Sequence, residues 1–396
     1  MKTTVEKGNI IIFLAGRIDT TNAPQVEQEI TDAVSAHSEE TPVFDVTDLQ
    51  YISSVGLRIL MKCCKKAGKK LRVLNASKEV YDIFETTGFT NILDVSKALR
   101  QISVEGCEMI GSGGYGKVYR IDPETIAKIY TPGMSLEEVQ KERDTAQKAF
   151  LLGIPTAISY DVVKNDDCYG VVFELLNAKT VAQCMDADPS CVKKMGVGSA
   201  KLLRELHQIS VEDKTFPERK QEMLDWVEKI VPVLDASEIE EIRSFIQSVP
   251  DSKNFLHGDF NSKNIMVNGD EFLLIDIGDA AIGHAVFDVA GLVLPYRRLI
   301  NSKLPLEERK RLLGFRLEDA NLLLHTLIAT YFGIDSDDAE QIEKRIQTLM
   351  PYASLLASYH GTRRVGFNVE YMKTTTLPLM RQMLLPAIRD AQPLDW

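Results

Sequence analysis

Phe255-Leu-His257-Gly258-Asp259-Phe260-Asn261-Ser262-Lys263-Asn264-Ile265-Met266-Val267, followed by Phe272-Leu-Leu-Ile-Asp276-Ile-Gly278-Asp279, is the stretch on which the reading of this chain turns. Its skeleton is H-x-D-x-x-x-x-N, then a short apolar strand ending on an acid. Phosphoryl transfer needs a carboxylate to orient the acceptor hydroxyl and take its proton, and Asp259 is placed for that on a loop after a strand. It also needs hard oxygen ligands for Mg2+. Asn264 offers an amide oxygen and Asp276 a carboxylate, enough for an ion that fills its remaining positions with water and phosphate oxygens. His257 reads as a residue that orients the loop by hydrogen bonding. Taken singly, Asp276 could cap a turn and Asn264 could close an Asx-turn; order and spacing carry the reading.

Upstream, Glu108-Met-Ile-Gly111-Ser-Gly113-Gly114-Tyr115-Gly116-Lys-Val118-Tyr-Arg120 is a G-x-G-x-x-G-x-V run flanked by strand formers. Glycines let a hairpin lie close over phosphates with its N–H groups exposed to the anion. A dinucleotide-binding turn would open a helix directly after the glycines. Here Val118 to Ile121 continues as strand, Asp122-Pro123 turns it, and Thr125-Ile-Ala127-Lys128-Ile-Tyr130 follows as another strand. That order resembles the amino-terminal lobe of protein kinases and their relatives. By that likeness Lys128 is the partner of the α and β phosphates of ATP. A helix over 135–152 comes next, with Ser135 as cap. Glu142 is the acid expected to pair with Lys128, with Glu138 as its rival. Tyr169 to Leu176 reads as a strand running into an inter-lobe linker. Backbone groups near Glu174, Leu175 and Leu176 are expected to bond the adenine edge, with Val118 and Ala127 sandwiching the ring.

The catalytic loop has Gly258 where protein kinases have Arg, and neither Asp-Phe-Gly nor an Ala-Pro-Glu segment follows Asp276. Residues 106–390 therefore resemble the aminoglycoside phosphotransferase and choline kinase superfamily, which phosphorylates hydroxyls of small molecules. The resemblance implies Asp259 as catalytic base, Asn264 and Asp276 as Mg2+ ligands, Lys128 on the ATP phosphates, and Asp288 as a brace for the loop. It does not name the acceptor. The complete glycine loop keeps a protein Ser/Thr kinase as an alternative, and a non-catalytic nucleotide-sensing scaffold is another. Asp335, Asp337, Asp338 and Glu340 would suit an amine-bearing acceptor, or simply form a solvated face.

Residues 1–100 read differently. Asn9–Leu14, Pro42–Val46 and Leu71–Asn75 are strand-like, and apolar stripes such as Val26, Ile30, Ala33 and Val34 mark helices between them, a βαβ layered domain. The segment Asp45-Val-Thr-Asp-Leu-Gln-Tyr-Ile-Ser53-Ser54-Val-Gly56-Leu-Arg-Ile-Leu60 resembles the STAS domain of anti-sigma factor antagonists. In that family a hydroxyl at the position of Ser54 is phosphorylated by a partner kinase to switch binding; without that, Ser53 and Ser54 would merely cap the helix. The expected fold is thus an α/β STAS-like regulatory domain over 1–101, then a two-lobed α+β protein-kinase-like domain over 102–396, with lobes of about 102–176 and 177–396.

Charge supports two domains. Residues 1–100 hold 13 Lys and Arg against 13 Asp and Glu, so the net charge of −11 lies wholly beyond them. Such an acidic half is a poor partner for nucleic acid. The chain is 44% apolar, has no apolar run of membrane-spanning length, and shows no secretory h-region at Met1–Glu6. Its longest apolar run, Leu322–Phe332, reads as a buried helix. The six cysteines form no C-x-x-C pair and suggest free thiols. A cytoplasmic protein with no membrane partner is expected.

Overall fold

Ile10, Ile12 and Leu14 are buried while Asn9, Ile11 and Phe13 are only half-covered, the alternation of a strand with one face on a core. The computed structural model describes residues 1–6, 8–211, 215–364 and 368–396. By backbone contacts the chain falls into two units, Met1–Ser103 and Val104–Trp396.

In the first unit, β1 (Lys2–Glu6), β2 (Asn9–Ile18), β3 (Thr41–Ile52), β4 (Arg72–Ala76) and β5 (Asp94–Lys97) form one sheet in that order. β1 pairs antiparallel with β2, and the remaining pairs are parallel. Helices α1 (Ala23–Ala36), α2 (Ser54–Ala67) and α3 (Lys78–Thr86) supply the crossovers that parallel pairing requires. Ile30, Leu57, Leu60, Val80 and Phe84 pack with Phe44, Val46 and Val73 into its core. β1 and β5 were not anticipated: β1, Lys-Thr-Thr-Val-Glu, is an edge strand that is mostly exposed and has no apolar alternation to read. All six cysteines are free, and burial pushes the Cys63 thiol up to about 11.

In the second unit, antiparallel strands lie in the order 159–165, 168–174, 125–130, 116–120, 108–112. Helix α4 (Leu136–Leu151) accompanies them. Its capping box, Ser135 with Glu138, satisfies two of the N–H groups a helix start leaves open, worth about 1 kcal/mol. The rest is helical: α5 (Val181–Ala187), α6 (Val192–Leu206), α7 (Arg219–Ile230), α8 (Ala236–Ser248), α9 (Val286–Ile300), α10 (Leu306–Leu313), α11 (Asp319–Phe332) and α12 (Ala339–Arg364). The Leu322–Phe332 run lies in α11, with Leu323, Leu324, Leu327 and Ile328 buried. Among the described residues no helix is long and apolar enough to cross a membrane.

Two short strand pairs among these helices position the site. Strands 265–268 and 271–274 form a hairpin, and 254–256 pairs with 281–283. The hairpin is tied to the segment after α4, where Leu274 N–H donates to Pro155 C=O at 2.7 Å and Thr156 Oγ1 donates to Leu274 C=O at 2.9 Å.

Candidate active site

The glycine-rich run forms the hairpin between strands 108–112 and 116–120. A Cβ added at Gly116 would stand 2.4 Å from the Ile129 carbonyl oxygen, so glycine there is a packing requirement. At Gly113 and Gly114 an added Cβ meets nothing within 4 Å. Gly113 N–H closes the turn on Gly116 C=O at 2.9 Å, which leaves the tip at Gly114 and exposed Tyr115 as an open rim.

Strand register corrects one expectation. Lys128 pairs with Val118 and Val171, whereas Ala127 pairs with Tyr119 and Val172. Side chains alternate faces along a strand, so Ala127 lies on the opposite face from Val118 and cannot sandwich a ring with it. Ile126 and Phe173 share the Val118 and Lys128 face. At the linker, Leu175 N–H is already engaged by Glu124 C=O at 2.7 Å, and the Glu174 carboxylate accepts from Ile158 N–H at 3.3 Å. Glu174 N–H is likewise engaged by Ile158 C=O at 2.9 Å and Leu176 C=O by Ala178 N–H at 2.8 Å, so Glu174 C=O and Leu176 N–H are what is left as the candidate adenine edge.

Lys128 Nζ stands 2.7 Å from Glu142 Oε1 on α4 and 2.6 Å from Asp276 Oδ1 on the other lobe. Burial alone would lower the Lys128 pKa, but the Asp276 and Glu142 carboxylates outweigh it and hold the ammonium well above its ordinary range. Glu138 is occupied in the capping box, which separates the two rival glutamates. Gly278 lets α4 come this close: a Cβ there would be 2.9 Å from Glu142 Cγ.

Below them the Leu256–Asp259 turn is fixed by buried groups. Asp288 at the start of α9 is 3% exposed, and its carboxylate accepts from His257 N–H at 2.7 Å and Gly258 N–H at 2.8 Å. His207 stands 3.3 Å behind it and bonds Tyr331 in turn. Burial pushes the Asp288 carboxyl up, yet the His207 contacts and these amides outweigh it and hold the group below the usual carboxylate range. His257 Nδ1 accepts from Asp259 N–H at 3.2 Å, so its proton lies on Nε2, facing Ile275 C=O at 3.2 Å. Gly258, the departure from the kinase Arg, has φ +85, and a Cβ there would lie 2.1 Å from the Asp279 carbonyl oxygen. That space is filled instead by Arg219 of α7, 2% exposed, whose Nη2 donates to Asp279 C=O at 2.5 Å.

Hairpin pairing of Ile265 with Leu274 brings Asn264 beside Ile275, whose N–H donates to Asn264 C=O at 3.0 Å. Asp276 follows in the left-handed region at φ +61. Asn264 Nδ2 donates to the Asp259 carbonyl at 2.9 Å and to its carboxylate at 3.0 Å. Asn264 Oδ1 and Asp276 Oδ2 have no hydrogen-bond partner among the described residues. Two hard oxygens without protein partners, at the two ends of one hairpin, fit an ion that completes its shell with water and phosphate. The Asp259 carboxylate reaches solvent but is hemmed in by the cleft walls. That burial, with the Asp276 and Asp279 charges, raises it above its ordinary range against opposing effects of His257 and Asn264. A concavity of about 580 Å³ elsewhere, lined by Lys194, Lys201, Glu205 and Phe272, shares none of these residues, so chemistry rather than depth marks the site.

The structure thus gathers Lys128, Glu142, Asp259, Asn264 and Asp276 around one cleft. Ser54 belongs to the first unit, exposed at the first position of α2, while Ser53 is the cap. Arg219, His207 and Tyr331 support the site and were not anticipated.

The sequence profile of the Phosphotransferase enzyme family matches residues 107–320, and that of the STAS domain matches residues 1–102. A protein of Bordetella bronchiseptica named as an anti-sigma factor antagonist, BtrV, is 33% identical over 103 residues, covering 25% of this chain and 88% of that protein. The anti-sigma-B factor antagonist of Bacillus subtilis is 27% identical over 93 residues, 23% of this chain and 84% of its own. Among solved structures, aminoglycoside phosphotransferase APH(2'')-Ib, ADP-bound, is 15% identical with a TM-score of 0.47, covering 71% of this chain and 93% of that one. A choline/ethanolamine kinase family protein from Mesorhizobium loti is 16% identical with a TM-score of 0.41, covering 72% and 92%. The chain belongs to the Phosphotransferase enzyme family, with a STAS domain at residues 1–102.

Proposed function

We infer that residues 104–396 transfer the γ-phosphoryl group of ATP to a hydroxyl of a small molecule in the cytoplasm, and that the STAS unit regulates this activity through a protein partner. The observation that carries the reading is the double contact of Lys128 with Glu142 and Asp276, which brings both lobes to one cleft beside Asp259. Nucleotide binding exchanges the Asp276 contact of Lys128 for phosphate oxygens, while Glu142 keeps the ammonium aimed. Mg2+, held by Asn264 Oδ1 and Asp276, would neutralise charge on the phosphates. Asp259 orients the acceptor hydroxyl. As the acceptor oxygen bonds to the γ-phosphorus, the bond from that phosphorus to the bridging oxygen breaks, ADP leaves with its electron pair, and the acceptor proton passes to the Asp259 carboxylate. Asn264 Nδ2 holds that carboxylate in place.

The likeness of the first unit to anti-sigma factor antagonists supports a protein partner, and exposed Ser54 is the candidate switch. A phosphate there adds about −1.5 to −2 charges beside a helix N-terminus. The enzyme reading is tested by ADP formation over a panel of aminoglycosides, amino alcohols and hydroxy acids. Asp259→Ala should keep MgATP binding and lose turnover about a hundredfold or more; turnover equal to wild type would refute the assignment.

A further inference from the structure

α12 brings one more cation to this cleft. Arg363, its penultimate residue, donates from Nη1 to Tyr359 Oη at 3.2 Å and to Asp279 Oδ1 at 3.4 Å, and its guanidinium lies 5.1 Å from the Tyr359 ring centroid. Among the described residues Nε and Nη2 make no hydrogen bond, and the side chain is 41% exposed. The fork is therefore half engaged.

Its surroundings are those of the site. Asp279 lies three residues beyond Asp276, its carbonyl abuts Gly258, and its charge acts on Asp259. Arg363 thus stands on the segment that follows Asp276 and abuts the turn carrying Asp259.

Comparison with Arg219 separates support from function. Both guanidiniums lie on the Tyr359 ring, at 5.7 Å for Arg219. Arg219 is buried and directs Nη1 and Nη2 to Glu222, Tyr359 and the Asp279 carbonyl. Arg363 is open to solvent and meets Asp279 through one nitrogen at a long distance. A residue present only to neutralise Asp279 would gain more from a two-pronged contact near 2.8 Å.

We propose that Arg363 binds an anionic oxygen group at the reacting end of the cleft: the phosphoryl group in transfer. This rests on the phosphotransfer reading above. In the transition state that group spreads its charge over its equatorial oxygens, which a planar fork with two donor nitrogens unengaged among the described residues matches. A carboxylate carried by the acceptor presents the same oxygen chemistry, and the test separates the two sources.

Calorimetry on the full chain would use three probes: MgADP, MgADP with aluminium fluoride as a mimic of the group in transfer, and D-glycerate added to the MgADP complex. Arg363→Gln should weaken the aluminium fluoride complex about tenfold or more while changing MgADP affinity less than about twofold. Arg363→Lys, which keeps the charge but not the fork, should recover part of the loss and serves if Arg363→Gln melts early. Loss of D-glycerate binding alone would assign the anion to the acceptor and keep Arg363 as its reader. Wild-type behaviour of both variants with all three probes would overturn the proposal and leave Arg363 as a counter-charge for Asp279. Failure of the wild type to bind MgADP would instead overturn the phosphotransfer reading, and this inference with it.

Discussion

Two strand-to-turn junctions of this chain present a polar side chain, and they are held in opposite ways. At Ile52–Gly56, Ser53 Oγ accepts one long hydrogen bond, 3.4 Å from Gly56 N, and Ser54 is exposed beside it. Among the described residues nothing but local capping holds the hydroxyls, while the backbone behind them is tight: a Cβ on Gly56 would come within 2.7 Å of Ile52. At Leu256–Asp259 the turn is gripped by buried Asp288 and by His257 in one tautomer, with Arg219 from a distant helix packed against Gly258. A hydroxyl proposed as a switch needs access. A base that must meet one proton in one direction needs fixed surroundings.

The strongest way to break this contrast is Asp288→Ala. It leaves the His257 and Gly258 amides buried without an acceptor and His207 without its carboxylate. It should cost about 3 kcal/mol or more in urea unfolding of the second unit, with turnover lost, while the first unit melts as before. The pH sign follows from the depressed folded value of Asp288. Its contribution is complete above the ordinary aspartate pKa of about 3.9 and fades as pH falls through the lower folded value, so the wild type should lose stability in acid along a limb that Asp288→Asn flattens.

A smaller effect is expected from Glu142→Gln. Lys128 keeps Asp276 but loses the partner that aims it, so MgATP affinity should fall about tenfold with little change in melting. Next comes Asp279→Asn. Removing a like charge near Asp259 should move the acid limb of the kcat/KM profile to lower pH, because Asp259 must be ionised to take the acceptor proton and Asp279 helps to raise it. An unmoved limb would detach Asp279 from the base.

The smallest pair sharpens the other junction. Ser53→Ala removes a cap and should cost the first unit about 0.5–1 kcal/mol, whereas Ser54→Ala should stay within about 0.5 kcal/mol. Equal losses would mean that Ser54 is structural rather than displayed.

Legibility in the sequence follows the same division between local and distant. The His257–Asn264 loop, the Asp276 strand end and the glycine-rich hairpin are written in contiguous residues whose spacing reports their chemistry. Glu142 was separable from Glu138 only weakly by sequence; the structure separates them because the capping box takes Glu138. For Ala127, strand alternation alone puts it opposite Lys128 and puts Ile126 on the Lys128 face; what needs the fold is the pairing of Lys128 with Val118, which shows that Val118 lies on that face too. Arg219 and Arg363 reach Asp279 across 60 and 84 residues of chain, and no local pattern announces such contacts. Gly258 carried a hint: a glycine in place of a large cation suggests that something else fills its space, but only the fold identifies it as Arg219.

The central claim is that Lys128, Asn264 and Asp276 form one nucleotide and metal site. Calorimetric titration of ATP with and without Mg2+, into wild type and Asp276→Asn, tests it most directly. The account predicts Mg2+-dependent binding that Asp276→Asn weakens about tenfold or more, with a matching rise in melting temperature only where ATP binds. Binding equal in both proteins, or absent from both with and without Mg2+, would contradict it.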